Sequence, residues 1–300
     1  MIEEATTILL NGQNPDGGWG AVAGKKSNTE VTALALLALR SNPLGPAERA
    51  ARRAEKWLIE RQNADGSWPL NESLKAPSWS TALAMIALSA VADARDRLVK
   101  AGNWALEQEG SKPGILAQLI LALSFQKKAV HLNEDLVGWS WTPVSFSWVE
   151  PTSYFLVALK KLRRHLTGKV VDERIQQGEL MIYDRMCDSG GWNYGNSSVY
   201  GDRLWPYPDI TAVALIALQE HRERKENQLS LRALEEMAKT TDSGLALSWG
   251  LIGLSLYGRD GSELKKRLGE RFAKTKFLGE HKPIALSIMA MTNGAQYFRI

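Results

Sequence analysis

Seven short apolar segments return along the chain: ALALLAL (33 to 39), ALAMIAL (82 to 88), AQLILAL (117 to 123), SYFLVAL (153 to 159), AVALIAL (212 to 218), SWGLIGL (248 to 254) and ALSIMAM (285 to 291). Their last residues are spaced by 49, 35, 36, 59, 36 and 37 positions, the period of a helical pair with two intervals lengthened by loops. Each is apolar almost all round, which predicts helices buried on every side. The segments that alternate with them, such as 46 to 62 and 262 to 277, are amphipathic and charged, which predicts an outer layer. Helical pairs at this period build either an open solenoid or a closed α/α toroid.

In chain order, the pattern predicts a short helix over 2 to 11, then inner helices over 29 to 41, 79 to 91, 115 to 125, 151 to 165, 209 to 222, 246 to 257 and 283 to 292. Outer helices are predicted over 46 to 62, 94 to 108, 171 to 186, 226 to 241 and 262 to 277. Gly-rich and Trp-rich loops precede several inner helices, and the stretch around GWSWTPVSFSW (138 to 148) reads as an irregular excursion. No linker rich in Pro, Ser or charge interrupts the period, so a single domain over 1 to 300 is expected.

Charge and cysteine usage narrow the function classes. The formal charge of +4 arises from 37 basic and 33 acidic residues spread over polar helical faces, so no nucleic-acid partner is expected. The single cysteine, Cys187, excludes an internal disulfide. The amino terminus has too short an apolar run for a signal peptide, which makes a cytoplasmic location the expectation. No uncharged apolar stretch reaches about 18 residues, so no membrane span is expected, while peripheral contact with a membrane stays open.

The loops carry the sharpest motif. Arg53-Ala54, Trp57-Leu58, Gln62 and Gly66-Ser67-Trp68 follow the order basic, small, aromatic, Leu, Gln, Gly, any residue, Trp. Leu9, Gln13, Gly17 and Trp19 repeat most of it, and Gln177-Gly178, Gly190 and Trp192 give a third copy with Met186 in place of Gln. This is the QW repeat, and the chain resembles the superfamily of terpenoid cyclases and protein prenyltransferase β-subunits. The resemblance implies an all-α fold, a closed α/α toroid (barrel) of six or seven helical hairpins around a central cavity. Physically, a Gln amide satisfies backbone groups at a helix end, glycines permit tight turns, and the Trp covers a neighbouring helix. Trp139, Trp141, Trp148, Trp205 and Tyr207 fall outside the repeat's Trp position and are the freer candidates to line a pocket.

Counting back nine residues from the end of each apolar segment gives Glu30, Trp79, Gly114, Glu150, Asp209, Leu245 and Lys282, with Thr32, Thr81, Thr152 and Thr211 two residues after the first, second, fourth and fifth. Equivalent positions in a toroid face one another, so Glu150 and Asp209 are candidate catalytic acids, with His281 beside them. Trp148, Trp205, Tyr207, Trp141, Glu30 and Trp79 are the candidate ligand-binding residues. Two carboxylates crowded in a partly apolar site raise one pKa and leave a proton donor near neutral pH. The competing reading is helix capping, because acids are favoured in the first turn of any helix.

The chain departs from the family's two chemistries. The resemblance implies an Asp-x-Asp-Asp acid motif before Thr-Ala in a type II cyclase, whereas Pro206-Tyr207-Pro208-Asp209-Ile210 precedes Thr211-Ala212 here. The zinc site of a prenyltransferase is matched by Asp209 and His281, but Thr211 replaces its thiolate. No metal or cofactor is therefore expected, and whether the chain is an enzyme stays open. The first reading is an isoprenoid-metabolism enzyme or enzyme-like protein that binds a small apolar, prenyl ligand in the toroid mouth. A carbohydrate-active hydrolase or lyase on the same fold and a non-catalytic binding or scaffold module are the alternatives, and whether a partner chain completes the site is left open.

Overall fold

A computed structural model describes residues 1–43, 45–111, 132–143 and 145–300. The elements are α1 (Ile2–Asn11), α2 (Thr29–Ser41), α3 (Gly45–Glu60), α4 (Ser80–Leu88), α5 (Arg95–Glu107), α6 (Val149–Leu162), α7 (Lys169–Asp184), α8 (Pro208–Ala217), α9 (Lys225–Ala238), α10 (Gly244–Leu256), α11 (Ser262–Thr275) and α12 (His281–Met291). The predicted helix over 115 to 125, and with it Leu123, lies outside the described residues. Two of the loops also form short antiparallel ribbons that the helical period did not signal: β1 (Pro69–Asn71) with β2 (Leu74–Pro77), and β3 (Ser198–Val199) with β4 (Asp202–Arg203).

The six apolar segments within the described residues become inner helices. α2 packs on α4, α4 on α6, α6 on α8, α8 on α10, α10 on α12, and α12 in turn on α2. Every residue of α4 is buried, as a helix apolar on all sides requires. Leu36, Leu39, Leu88, Leu159, Leu218 and Leu254 are at most 1% exposed, and truncating one of them to Ala costs roughly 2 to 5 kcal/mol. The amphipathic helices lie outside: α3 on α2, α5 and α7 on α6, α9 on α8, and α11 on α10.

The loops are built on one repeated clamp. The backbone N–H of Trp19, Trp68, Trp139 and Trp192 donates to the hydroxyl of Thr32, Thr81, Thr152 and Thr211 at 2.8 to 3.0 Å. The indole N–H of each donates to a carbonyl at the end of the preceding outer helix, that of Leu9, Leu58, Ala105 and Ile182. The backbone N–H and the indole N–H of each tryptophan are thereby both satisfied inside the core, where all four rings are at most 1% exposed. The threonines aligned at the mouth are loop anchors. Gln13 and Gln62 act as the motif suggests, each amide donating to a loop carbonyl and to a carbonyl of the next outer helix. At Gly17 and Gly66 the backbone is left-handed (φ +96° and +100°), and a Cβ would meet the carbonyl oxygen of Arg53 or Lys100 at 2.8 or 2.7 Å.

Trp139 corrects the sequence reading. It holds the repeat's Trp position, stacked on Phe155 at 5.4 Å and covered by the Arg174 guanidinium at 3.7 Å, and it is core. Its indole partner is Ala105, 34 residues upstream instead of ten, which hid the match.

Candidate functional site

The first turns of four inner helices meet in one electrostatic cluster. Glu30, Glu150, Asp209 and Lys282 are each the second residue of α2, α6, α8 and α12, so the helical register alone brings them to the same end. Lys282 Nζ lies 2.5 Å from Glu30 Oε1 and keeps about a quarter of its side chain exposed (26%). Burial lowers the pKa of this ammonium, but Glu30, Glu150 and Asp209 together outweigh burial and raise it. One cation thus serves three carboxylates.

Glu150 is the least solvated acid, 7% exposed. Burial raises its pKa to about 7, against the lowering pull of Lys282 and of the Tyr154 hydroxyl, which donates to Oε1 at 2.9 Å; the charges of Glu30 and Asp209 push it further up. It caps nothing. Asp209 is raised by burial too, and is drawn down by its own amide and that of Ile210, the behaviour of a helix-start acid, and by Lys282. Capping therefore describes part of what Asp209 does and none of what Glu150 does.

Below the acids lies a file of aromatic rings. Trp141 meets Trp79 edge to face at 4.8 Å, Trp79 stacks on Tyr154 at 6.0 Å, Tyr154 tilts against Trp249 at 6.0 Å, and Trp249 meets Phe298 at 5.1 Å. On the other side of the cluster Tyr194 contacts Tyr207 at 5.7 Å. The Tyr194 hydroxyl pKa is raised by burial and then by Asp209 and Glu150, which places it within their field.

The sequence candidates divide accordingly. Glu30, Glu150 and Asp209 are brought together, and Trp79 and Trp141 form one end of the aromatic file. Tyr207 is half exposed at the rim, and Trp205 stands 79% exposed. Trp148 lies over Gly195 and lines a separate cavity of about 330 Å³ with Phe146 and Arg185, which neither acid lines. His281 is buried and turned to the loop of 13 to 28: Nδ1 is 2.8 Å from the Gly20 carbonyl, and its backbone N–H donates to that of Ala21. Burial lowers its pKa, and its ring abuts Gly12, where no side chain would fit.

Lys282, Tyr154, Tyr194 and Trp249 are the participants that sequence reasoning left out. Lys282 stands in the aligned mouth position, and Tyr154 and Trp249 lie one helical turn beyond Glu150 and Leu245, so the same alignment carried one turn inward reaches them. Tyr194 carries no such signal. Among the described residues no three His, Cys, Asp or Glu side chains are arranged to hold a metal ion, and no helix is long and apolar enough to cross a membrane.

Comparison with known proteins places this architecture. Residues 2–128 match the family model of the squalene-hopene cyclase N-terminal domain. No curated protein matches the sequence. Among solved structures, the type II terpene cyclase MstE from Scytonema aligns at 19% identity over 91% of this chain and 76% of that chain, with a TM-score of 0.55. A variant of it in complex with geranylgeranyl dihydroxybenzoate aligns at 15% identity over 99% and 97%, TM-score 0.61. Cellobiose 2-epimerase from Spirochaeta thermophila shares the fold at 12% identity over 98% and 97%, TM-score 0.59. In the sequence of residues 2–128 the chain is similar to the squalene-hopene cyclase N-terminal domain, and over nearly its whole length it shares the fold of a type II terpene cyclase.

Proposed function

We propose that this chain is a single-domain, closed toroid that binds a prenylated ligand against the aromatic file and delivers a proton to it from Glu150. The return contact of α12 onto α2 supports closure. The observation that carries the chemistry is a carboxyl raised to about 7 by burial, beside two further carboxylates and above stacked aromatic rings. Near neutral pH such a group is half protonated, which suits a general acid. A carboxyl of that strength is weak for a bare alkene, so the transfer needs the resulting carbocation to be stabilised. The ring faces of Trp79, Tyr154 and Trp249 and the charges of Glu30 and Asp209 supply that stabilisation. Asp209, whose pKa burial raises against the pull of its helix amides and Lys282, is the partner that takes a proton back. Trp141, Tyr207 and Trp205 are assigned to the entrance and His281 to the loop that borders it, while Trp148 belongs to the separate cavity.

A second reading, a carbohydrate-active enzyme, draws on Glu150 sensing the charge of Asp209 and on the epimerase that shares the fold. Titrating the protein with geranylgeraniol and, separately, with cellobiose while following tryptophan fluorescence decides between them. Saturable quenching by the prenyl alcohol, retained in Glu150→Gln while product formation from a geranylgeranyl substrate is lost, supports the proposal. Binding of cellobiose alone overturns it in favour of the second reading, and binding of neither leaves the scaffold module.

A further inference from the structure

A cavity lies at the opposite end of the inner helices, where α4 and α6 finish. It encloses about 950 Å³, a size suited to a small molecule. Arg95, Lys161, Arg164, His165 and Arg299 line it, and no Asp or Glu does. Two other cations there are already engaged. Lys160 Nζ donates to the Ala217 carbonyl at 2.8 Å and pairs with Glu179 at 2.6 Å and Glu220 at 3.1 Å; Arg163 pairs with Asp172 at 2.7 Å. Among the described residues, Arg95, Lys161, Arg164 and Arg299 pair with no acid.

Their mutual fields show the same excess. Lys161 donates to the Arg299 carbonyl at 3.0 Å, and burial lowers its pKa with no carboxylate to offset the shift. Arg164 Nε donates to His165 Nε2 at 3.3 Å, and burial and then Arg95 and Arg164 lower the pKa of the ring. A helix carboxyl end accounts for lysines in the last turn of α6. It does not account for Arg95, the first residue of α5, where the helix dipole disfavours a cation and favours an anion. Asp96 follows it in the chain but does not line the cavity.

We propose that this cavity is a binding site for a phosphate ester or diphosphate, held by Arg95, Lys161, Arg164 and Arg299, with an apolar portion of the ligand against Leu98, Leu162 and Tyr297. Guanidinium groups match phosphate oxygens in pairs, and a recess lined by one sign of charge concentrates the opposite ion. The site is distinct from the acid cluster: eleven helical residues of α6 separate Glu150 from Lys161, roughly 16 Å. It does not depend on the function proposed for that cluster.

Calorimetric titration of the full chain with sodium pyrophosphate tests it, alongside a double variant, Arg95→Gln with Arg164→Gln. A control of equal charge change, Lys265→Gln with Lys266→Gln, alters the exposed face of α11. The expected result is one saturable site, weakened roughly tenfold or more by the first double variant and less than about twofold by the control. No saturable heat, equal weakening by the control, or sulfate binding as tightly as pyrophosphate overturns the proposal. Cosedimentation with phosphatidylglycerol vesicles that the first variant abolishes, with no heat from pyrophosphate, assigns the same cations to a lipid headgroup and overturns the soluble ligand.

Discussion

At the amino-terminal ends of the inner helices, three carboxylates share one ammonium in a setting so dry that Glu150 is 7% exposed. At the carboxyl-terminal ends, arginines and lysines surround an open recess and keep most of their charge in water. Both clusters hold an excess of one sign. The difference is the dielectric in which that excess sits: burial turns repulsion into a shifted proton equilibrium, whereas hydration and salt leave the far-end charges ionised and available to a counterion. One end is therefore read with pH and the other with salt.

The largest effect expected is on the pH dependence of stability. Glu150 is raised from its usual 4.5 to about 7 in the folded chain, so the folded state binds more protons in that interval. Its contribution is full below about 4.5 and is lost as pH rises to about 7. Glu150→Gln should therefore gain roughly 3 kcal/mol on the parent between pH 4.5 and 8, measured by urea unfolding at each pH. Parallel curves for the two proteins would mean that Glu150 is solvated.

Next comes the shared cation. Lys282→Met leaves Glu30, Glu150 and Asp209 without a countercharge and should cost about 2 kcal/mol at pH 8, a value reduced from the buried-pair range because Lys282 is partly exposed. Most of the loss should be recovered at pH 5, where Glu150 is protonated; a loss independent of pH would point to packing instead.

The smallest effect belongs to the far end. Removing two of the repelling charges, Arg95→Gln with Arg164→Gln, should stabilise the ligand-free chain by a few tenths of a kcal/mol at about 20 mM salt, and by nothing measurable at 0.5 M. Thermal unfolding at the two salt concentrations checks it, and Lys282→Met should show little of this salt dependence.

The sequence made the inner helices legible because they are apolar on every face, a pattern that an exposed helix cannot keep. It also placed Glu30, Glu150, Asp209 and Lys282 at one register, since helices starting in phase present the same position to the same end. Where it failed, contacts depended on distance in space. Trp139 was hidden by 34 residues between it and its carbonyl partner, and the concentration of Arg95, Lys161, Arg164 and Arg299 around one recess comes from three separated stretches that the linear charge pattern shows only as scattered. His281, one residue from the aligned acids, spends its ring on the Gly20 carbonyl because consecutive helical residues point some 100° apart.

The Trp and Thr clamp bears on how such a chain diversifies. Its two anchors are thirteen residues apart in three units and nineteen in the fourth, where the additional length becomes the β3–β4 ribbon and carries Trp205. Because the clamp fixes both ends of the loop against the same inner helix, the residues between can lengthen or change character without disturbing the helices. Each interval is thus a splice point, and a loop of new reach or polarity requires a new insert and no new set of inner helices.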